Sequence, residues 1–164
     1  MKCQEWWGKD DSFSIPVDWA VYHSKNTEKK RSEEAELGQA DDCRSTYVHD
    51  VDQVSAGSPL VEDCEELIKD AAKGHTWVVS DVQKTLKTHG TCAIGAQLDE
   101  KEGWDAKVGN VDIQQTLRLA IDRHTKVIDG VKRVAAMGHM KCQGTATRSE
   151  AFTKEVNWAV YHSK

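Results

Sequence analysis

Val156-Asn157-Trp158-Ala159-Val160-Tyr161-His162 alternates in character, with Val156, Trp158 and Val160 on one side and Asn157, Ala159 and Tyr161 on the other. That period of two belongs to a β-strand with two different faces. The stretch occurs earlier as Val17-Asp18-Trp19-Ala20-Val21-Tyr22-His23. It ends a longer duplication: residues 1–25 and 140–164 match at a single offset of 139, with 13 of 25 positions identical, including Met1-Lys2-Cys3-Gln4 against Met140-Lys141-Cys142-Gln143. The chain therefore holds one whole unit and a second copy of a unit's end.

Upstream of that strand, two segments change to helical period. Ser58-Pro59 opens the first, with Ser58 as candidate cap and Pro59 at the first turn. Leu60, Cys64, Leu67, Ile68 and Ala71 form its apolar face, acidic residues come early, Lys69 and Lys73 late, and Gly74 supplies the stop. The second begins at Asn110 or Asp112, where Asp112 and Gln115 have capping-box spacing, and runs through Ile113, Leu117, Ala120 and Ile121 to His124-Thr125. Strands are predicted over 45–49, 76–80, 83–88, 91–98, 134–143 and 153–162. Two amphipathic helices with these strands predict an α+β fold, a two-layer sandwich of a mostly antiparallel five- to six-stranded sheet with both helices on one face.

Three parts follow along the chain: the duplicated end over 1–25, a polar linker over 26–41 without apolar periodicity, and an ordered domain over 42–164. With 164 residues, a net charge of −5 and pI near 5.8, the chain has no basic stripe to neutralise phosphates, which argues against nucleic acid. No run approaches the ~20 apolar residues of a membrane-spanning helix. Residues 1–25 lack the apolar centre of a signal peptide, so a secreted protein would be read here in its mature form.

The five cysteines are Cys3, Cys43, Cys64, Cys92 and Cys142. Cys3 and Cys142 share one repeat position, which leaves four per unit. An even number fits two disulfides in an oxidising compartment, and buried thiols in a reducing one are the alternative. There is no C-x-x-C pair for zinc. His139 and Cys142 would point to opposite faces of a strand, so no metal or other cofactor is expected. Nor does any nucleophile–histidine–carboxylate order or phosphate-cradling glycine loop stand out, and no catalytic residue is assigned. Trp6-Trp7 reads as a staple for the tail or a contact patch.

Six stretches in order carry a resemblance. They are Asp42-Cys43-Arg44-Ser45-Thr46, Ser55-Ala56-Gly57-Ser58-Pro59-Leu60-Val61-Glu62-Asp63-Cys64, Gly90-Thr91-Cys92-Ala93-Ile94-Gly95, Val108-Gly109-Asn110-Val111-Asp112-Ile113, Met137-Gly138-His139-Met140-Lys141-Cys142-Gln143-Gly144 and Val156–His162. Together they resemble the fungal secreted effector domain named for homologues of the Cladosporium extracellular effector protein two, a necrosis-inducing factor family. A more distant likeness is to killer protein four, the toxin of a smut-fungus virus, whose fold is an α/β sandwich. The resemblance implies a small, cysteine-stapled, secreted protein without catalysis, acting on an unknown surface target of host or competitor cells. The family's aromatic after Cys-Ala is Ile94 here, and the tail over 1–25 is foreign to the single-domain pattern.

Cys64 on the buried helix face is paired with Cys92 in a central strand, which leaves Cys43 with Cys142. Spacing alone allows three pairings. Each bridge would stabilise by roughly 3–4 kcal/mol on the loop-entropy model. Cys3 would compete with Cys142 for Cys43 or stay unpaired. Lys29-Lys30-Arg31 is a dibasic processing signal between an ended repeat and a beginning one, with cleavage after Arg31; the plainer reading is a solvated charge cluster. Finally, Trp19 and Val21 duplicate Trp158 and Val160, so two strands compete for one slot. If the carboxy-terminal copy fills it, the other is spare and can add to a sheet edge. If not, the chain is an assembly unit that forms a strand-exchanged homo-oligomer.

Overall fold

The computed structural model describes residues 39–99, 104–145 and 153–164, together with the backbone of Val21 and Tyr22. Among these, ten strands and two helices follow in the order β1 (Val21–Tyr22), β2 (Cys43–His49), α1 (Val61–Ala71), β3 (Thr76–Val79), β4 (Lys84–His89), β5 (Cys92–Leu98), β6 (Ala106–Gly109), α2 (Asn110–His124), β7 (Thr125–Ile128), β8 (Val131–Val134), β9 (Ala136–Gln143) and β10 (Thr153–His162). Six of them form one sheet in the order β1-β2-β9-β10-β5-β4, every neighbouring pair antiparallel.

The closing strand β10 lies at the centre of this sheet. It pairs with β5 from Val156↔Leu98 to His162↔Cys92 and with β9 from Thr153↔Gln143 to Val160↔Ala136. Trp158 is the largest fully buried side chain, and its neighbours across the two ladders are Ala96 and Gly138. Small partners make room for the indole. A Cβ on Gly138 would stand 2.6 Å from Trp158 Cζ2 and 1.9 Å from the Tyr47 carbonyl.

Val156, Trp158 and Val160 share one buried cluster with Cys64 and Leu67 of α1 and with Ile113, Leu117 and Ala120 of α2. Both helices therefore cover the same face, and the architecture is an α+β two-layer sandwich. Ala93, Met137, Ala159 and Tyr161 form a second cluster on the opposite face.

Several local readings are corrected. Ser58 does not cap α1: its Oγ accepts the Ser55 N–H at 2.9 Å and its carbonyl accepts Arg133 Nη1 at 2.6 Å, so it closes a turn ahead of the Leu60 cap position. Nor does Gln115 complete a capping box. Asp112 itself stands at the third position of α2 and accepts the Gly109 N–H at 2.7 Å. β3 leaves the main sheet to pair with β6, and β7 and β8 form a separate hairpin. The strand predicted over 134–143 is divided at Ala135 between β8 and β9.

Candidate functional site

Two junctions join the helices to the sheet, each made of one cystine and one carboxyl group. At the first, Cys43 in β2 is bonded to Cys142 in β9, directly across the ladder. Beside it Asp112, 2% exposed, accepts the backbone N–H groups of Asp42 at 2.9 Å, Cys43 at 3.1 Å and Gly109. Asn110 accepts the Ala40 N–H at 2.8 Å and the Ala40 carbonyl accepts the Val111 N–H at 3.0 Å. The start of α2, with its free amides and short polar side chains, thus grips the chain entering β2. Only glycine fits at 109, where a Cβ would lie 2.0 Å from the Ala40 carbonyl oxygen. Burial, and then the hydrogen-bonded Asp41 carboxyl, hold the Asp112 carboxyl well above the usual range.

At the second junction Cys64 in α1 is bonded to Cys92 in β5. Asp63 Oδ2 accepts both the Thr91 N–H at 2.7 Å and the Thr91 hydroxyl at 2.6 Å, and Thr91 Oγ1 in turn accepts the Leu60 N–H at 2.9 Å. These Thr91 bonds pull the Asp63 carboxyl below its ordinary value. Gly90 turns the β4–β5 hairpin at φ +53°, with the Asp63 carboxylate where a Cβ would stand. His89 and His162 flank Cys92 in register on the neighbouring strands, and His89 Nδ1 meets Asp70 Oδ2 at 2.7 Å.

The face turned away from the helices carries the most chemically varied cluster. Tyr47 stacks on His139 with ring centroids 4.7 Å apart, and His139 Nδ1 lies 3.5 Å from His49 Nε2. Glu155 Oε1 stands 3.5 Å from the other ring nitrogen of His139. Along the same face Asn157 donates to Asp99 at 2.9 Å, Gln53 donates to the Met137 sulfur at 3.3 Å, and Tyr161 and Thr85 share a hydroxyl bond of 2.6 Å. Most of this strip is closed to solvent: His49, Gln53, Met137, Asn157 and Tyr161 are buried, Tyr47 and His139 are half-buried, and Glu155 is exposed. Its two histidines and two carboxyl groups come from four different strands or loops, which is why sequence reading missed it; period-two alternation along β2 and β9 was the available signal.

Of the residues singled out in the sequence, Cys43, Cys64, Cys92 and Cys142 are brought together as two cystines. Trp158 and Val160 lie in β10, whose slot between β9 and β5 is filled by the carboxy-terminal copy. The backbone of Val21, with that of Tyr22, lies instead at the far edge of the sheet, paired with His49 and Val48 of β2. Cys3, Trp6-Trp7, Trp19, Lys30 and Arg31 lie outside the described residues. His139 and Cys142 face opposite sides of β9. Among the described residues no group of three or more metal-ligating side chains converges, and no helix is long and apolar enough to cross a membrane.

Comparison with known sequences gives two results. Residues 42–142 match the Hce2 family model, described as "Pathogen effector; putative necrosis-inducing factor". Two curated relatives come from Penicillium expansum. "Probable chitinase LysM18" is 30% identical over 120 residues, covering 71% of this chain and 8% of the relative. "Secreted chitinase LysM12" is 26% identical over 120 residues, covering 71% and 7%. The chain thus spans less than a tenth of the length of either relative.

Proposed function

The chain belongs to the Hce2 pathogen effector family, and on that premise we propose that it is a secreted, non-catalytic fungal effector acting on a surface component of host or competitor cells. The observation that carries this reading is the match over 42–142, because that span holds all four bonded cysteines and both helix–sheet junctions. Cystines of this kind belong to oxidising, extracellular surroundings, and one relative is named as secreted. Both relatives are named chitinases, but the shared segment is under a tenth of each. In this reading it is an effector module separable from their hydrolytic parts. Residues 1–25 and a linker over 26–41 precede the effector domain over 42–164, and cleavage after Arg31 releases that domain from a tandem-repeat precursor.

Infiltration of the purified, oxidised full chain into leaf tissue tests the proposal, alongside a growth assay on competing fungi. Necrosis or growth inhibition is expected, with no release of sugar from chitin oligosaccharides. Protein inert in both assays, or protein that hydrolyses chitin, would overturn it.

A second reading, an assembly unit that polymerises through its duplicated strand, is favoured by one observation: a piece of the spare copy is itself paired to the sheet, as β1. Light scattering coupled to size exclusion separates the two. A monomeric mass at all concentrations sinks the assembly reading and leaves the effector reading in place.

A further inference from the structure

Apart from the two-residue β1, the sheet is bounded by β4 and β2, which end in different ways. On one side β4 presents exposed Lys84 and half-buried Lys87, with a register break between Thr85 and Lys87. Charge and irregularity are the devices by which edge strands resist further pairing. On the other side β2 has its irregularities early. Ser45 takes φ 53° and the register with β9 shifts between Arg44 and Tyr47. Beyond that point Tyr47 and Val48 stay in register with His139 and Gly138, and with β1 in place Val48 and His49 are 1% and 3% exposed. A stretch of regular backbone at this position, with no charged guard like that on β4, invites another strand.

Val21 and Tyr22 answer that invitation, antiparallel, in the register Val21↔His49 and Tyr22↔Val48. They lie outside the span that matches the family, and they belong to the copy of β10, a sequence that holds long ladders on both sides in its central position. We infer that the 47–49 run of β2 is a strand-accepting edge, that residues 21–22 are its resident occupant, and that the partner it fits is the chain's own 17–23 segment. Backbone hydrogen bonds supply the affinity in such strand addition, and alternate side chains the selectivity.

The linkage is permissive. Sixteen residues, 23–38, separate β1 from the next described residue, Gln39. They need to span only the length of β2, on the order of 17–20 Å at ~3.3 Å per residue. A tether of that kind keeps the occupant at millimolar effective concentration, so the cis strand outcompetes a free one until it is displaced. Cleavage after Arg31, which rests on the proposed processing, would remove the tether; the edge itself does not depend on it.

The test uses the full chain with Tyr22→Pro, which removes a backbone donor and disfavours continued pairing, and Val21→Pro as a second variant. The probe is a labelled synthetic peptide of residues 17–25, read by fluorescence anisotropy, with hydrogen exchange followed on β2, β5 and β9. Both variants should bind the peptide about tenfold or more tightly than the parent does, and the peptide should restore protection at Val48 and His49. Equal binding to parent and variants, or none to either variant, would overturn the inference. So would loss of protection on β10, followed in the same exchange experiment, which would place the peptide in its slot. Leaf necrosis is a separate readout, so failure here leaves the effector assignment standing.

Discussion

Gly138 shows how narrowly one position can be constrained. A Cβ there would have the Trp158 ring on one side and the Tyr47 carbonyl 1.9 Å away on the other, so Gly138→Ala must push the indole or β2 aside. The expected loss is about 1–3 kcal/mol, read from the midpoint of urea unfolding with its slope unchanged. Asp63 is sensitive in another way. Replacing it with Ala strands the Thr91 N–H and should cost about 2 kcal/mol at pH 7. Its folded-state carboxyl titrates below the ordinary 3.8, so its contribution is present above that value and is lost as pH falls through the lower, folded one. The gap between parent and Asp63→Ala should therefore close in unfolding curves taken at progressively more acid pH. Asp112 runs the opposite way: its raised folded-state value means that its share of stability declines as pH rises above 3.8. At this scale the sequence was a partial guide. It marked Gly138, Asp112 and Thr91 through the motifs that contain them, but most of their partners are 20 to 70 positions distant and only the fold assigns them.

Among the elements, those with a strong period were legible. Both helices and the long alternating strand β10 announce themselves by apolar spacing, because each buries one continuous face. β7 and β8 were missed although Asp129-Gly130 is a strong two-residue hairpin signal; both residues have positive φ, 53° and 77°, as the tight turn requires. β6 was missed because four residues flanked by polar sequence carry too little period, and its pairing with β3 is set by the packing around them. The cystines act at this level too, by fastening a helix to a strand and one strand to another. Closing loops with separations of 28 and 99 residues, they should contribute roughly 3.6 and 4.7 kcal/mol on the loop-entropy model. Calorimetry of the Cys64→Ala/Cys92→Ala and Cys43→Ala/Cys142→Ala pairs tests this, with the second pair expected to lose more.

For the whole molecule, the duplication was visible at once, yet it did not decide where each copy goes. Two near-identical strands offer the same backbone hydrogen bonds, so the choice between a central slot and an edge depends on covalent connection: β10 is the next element after β9, whereas β1 is the element before β2. The histidine strip was illegible for a related reason, since it exists only once β2, β9 and β10 are side by side. Edge chemistry also belongs to this scale. Removing the guard on β4 with Lys84→Val/Lys87→Val should raise concentration-dependent association, seen as growth in scattered light, while the parent stays dispersed.

The two cystines are nested, with the 64–92 loop lying wholly inside the 43–142 loop. A peptidase that cuts once anywhere between those outer cysteines opens a ring and releases nothing: the halves remain one covalent body. In surroundings rich in digestive enzymes, a single cut within that ring becomes visible on a gel only after reduction, and the nicked molecule stays in one covalent piece.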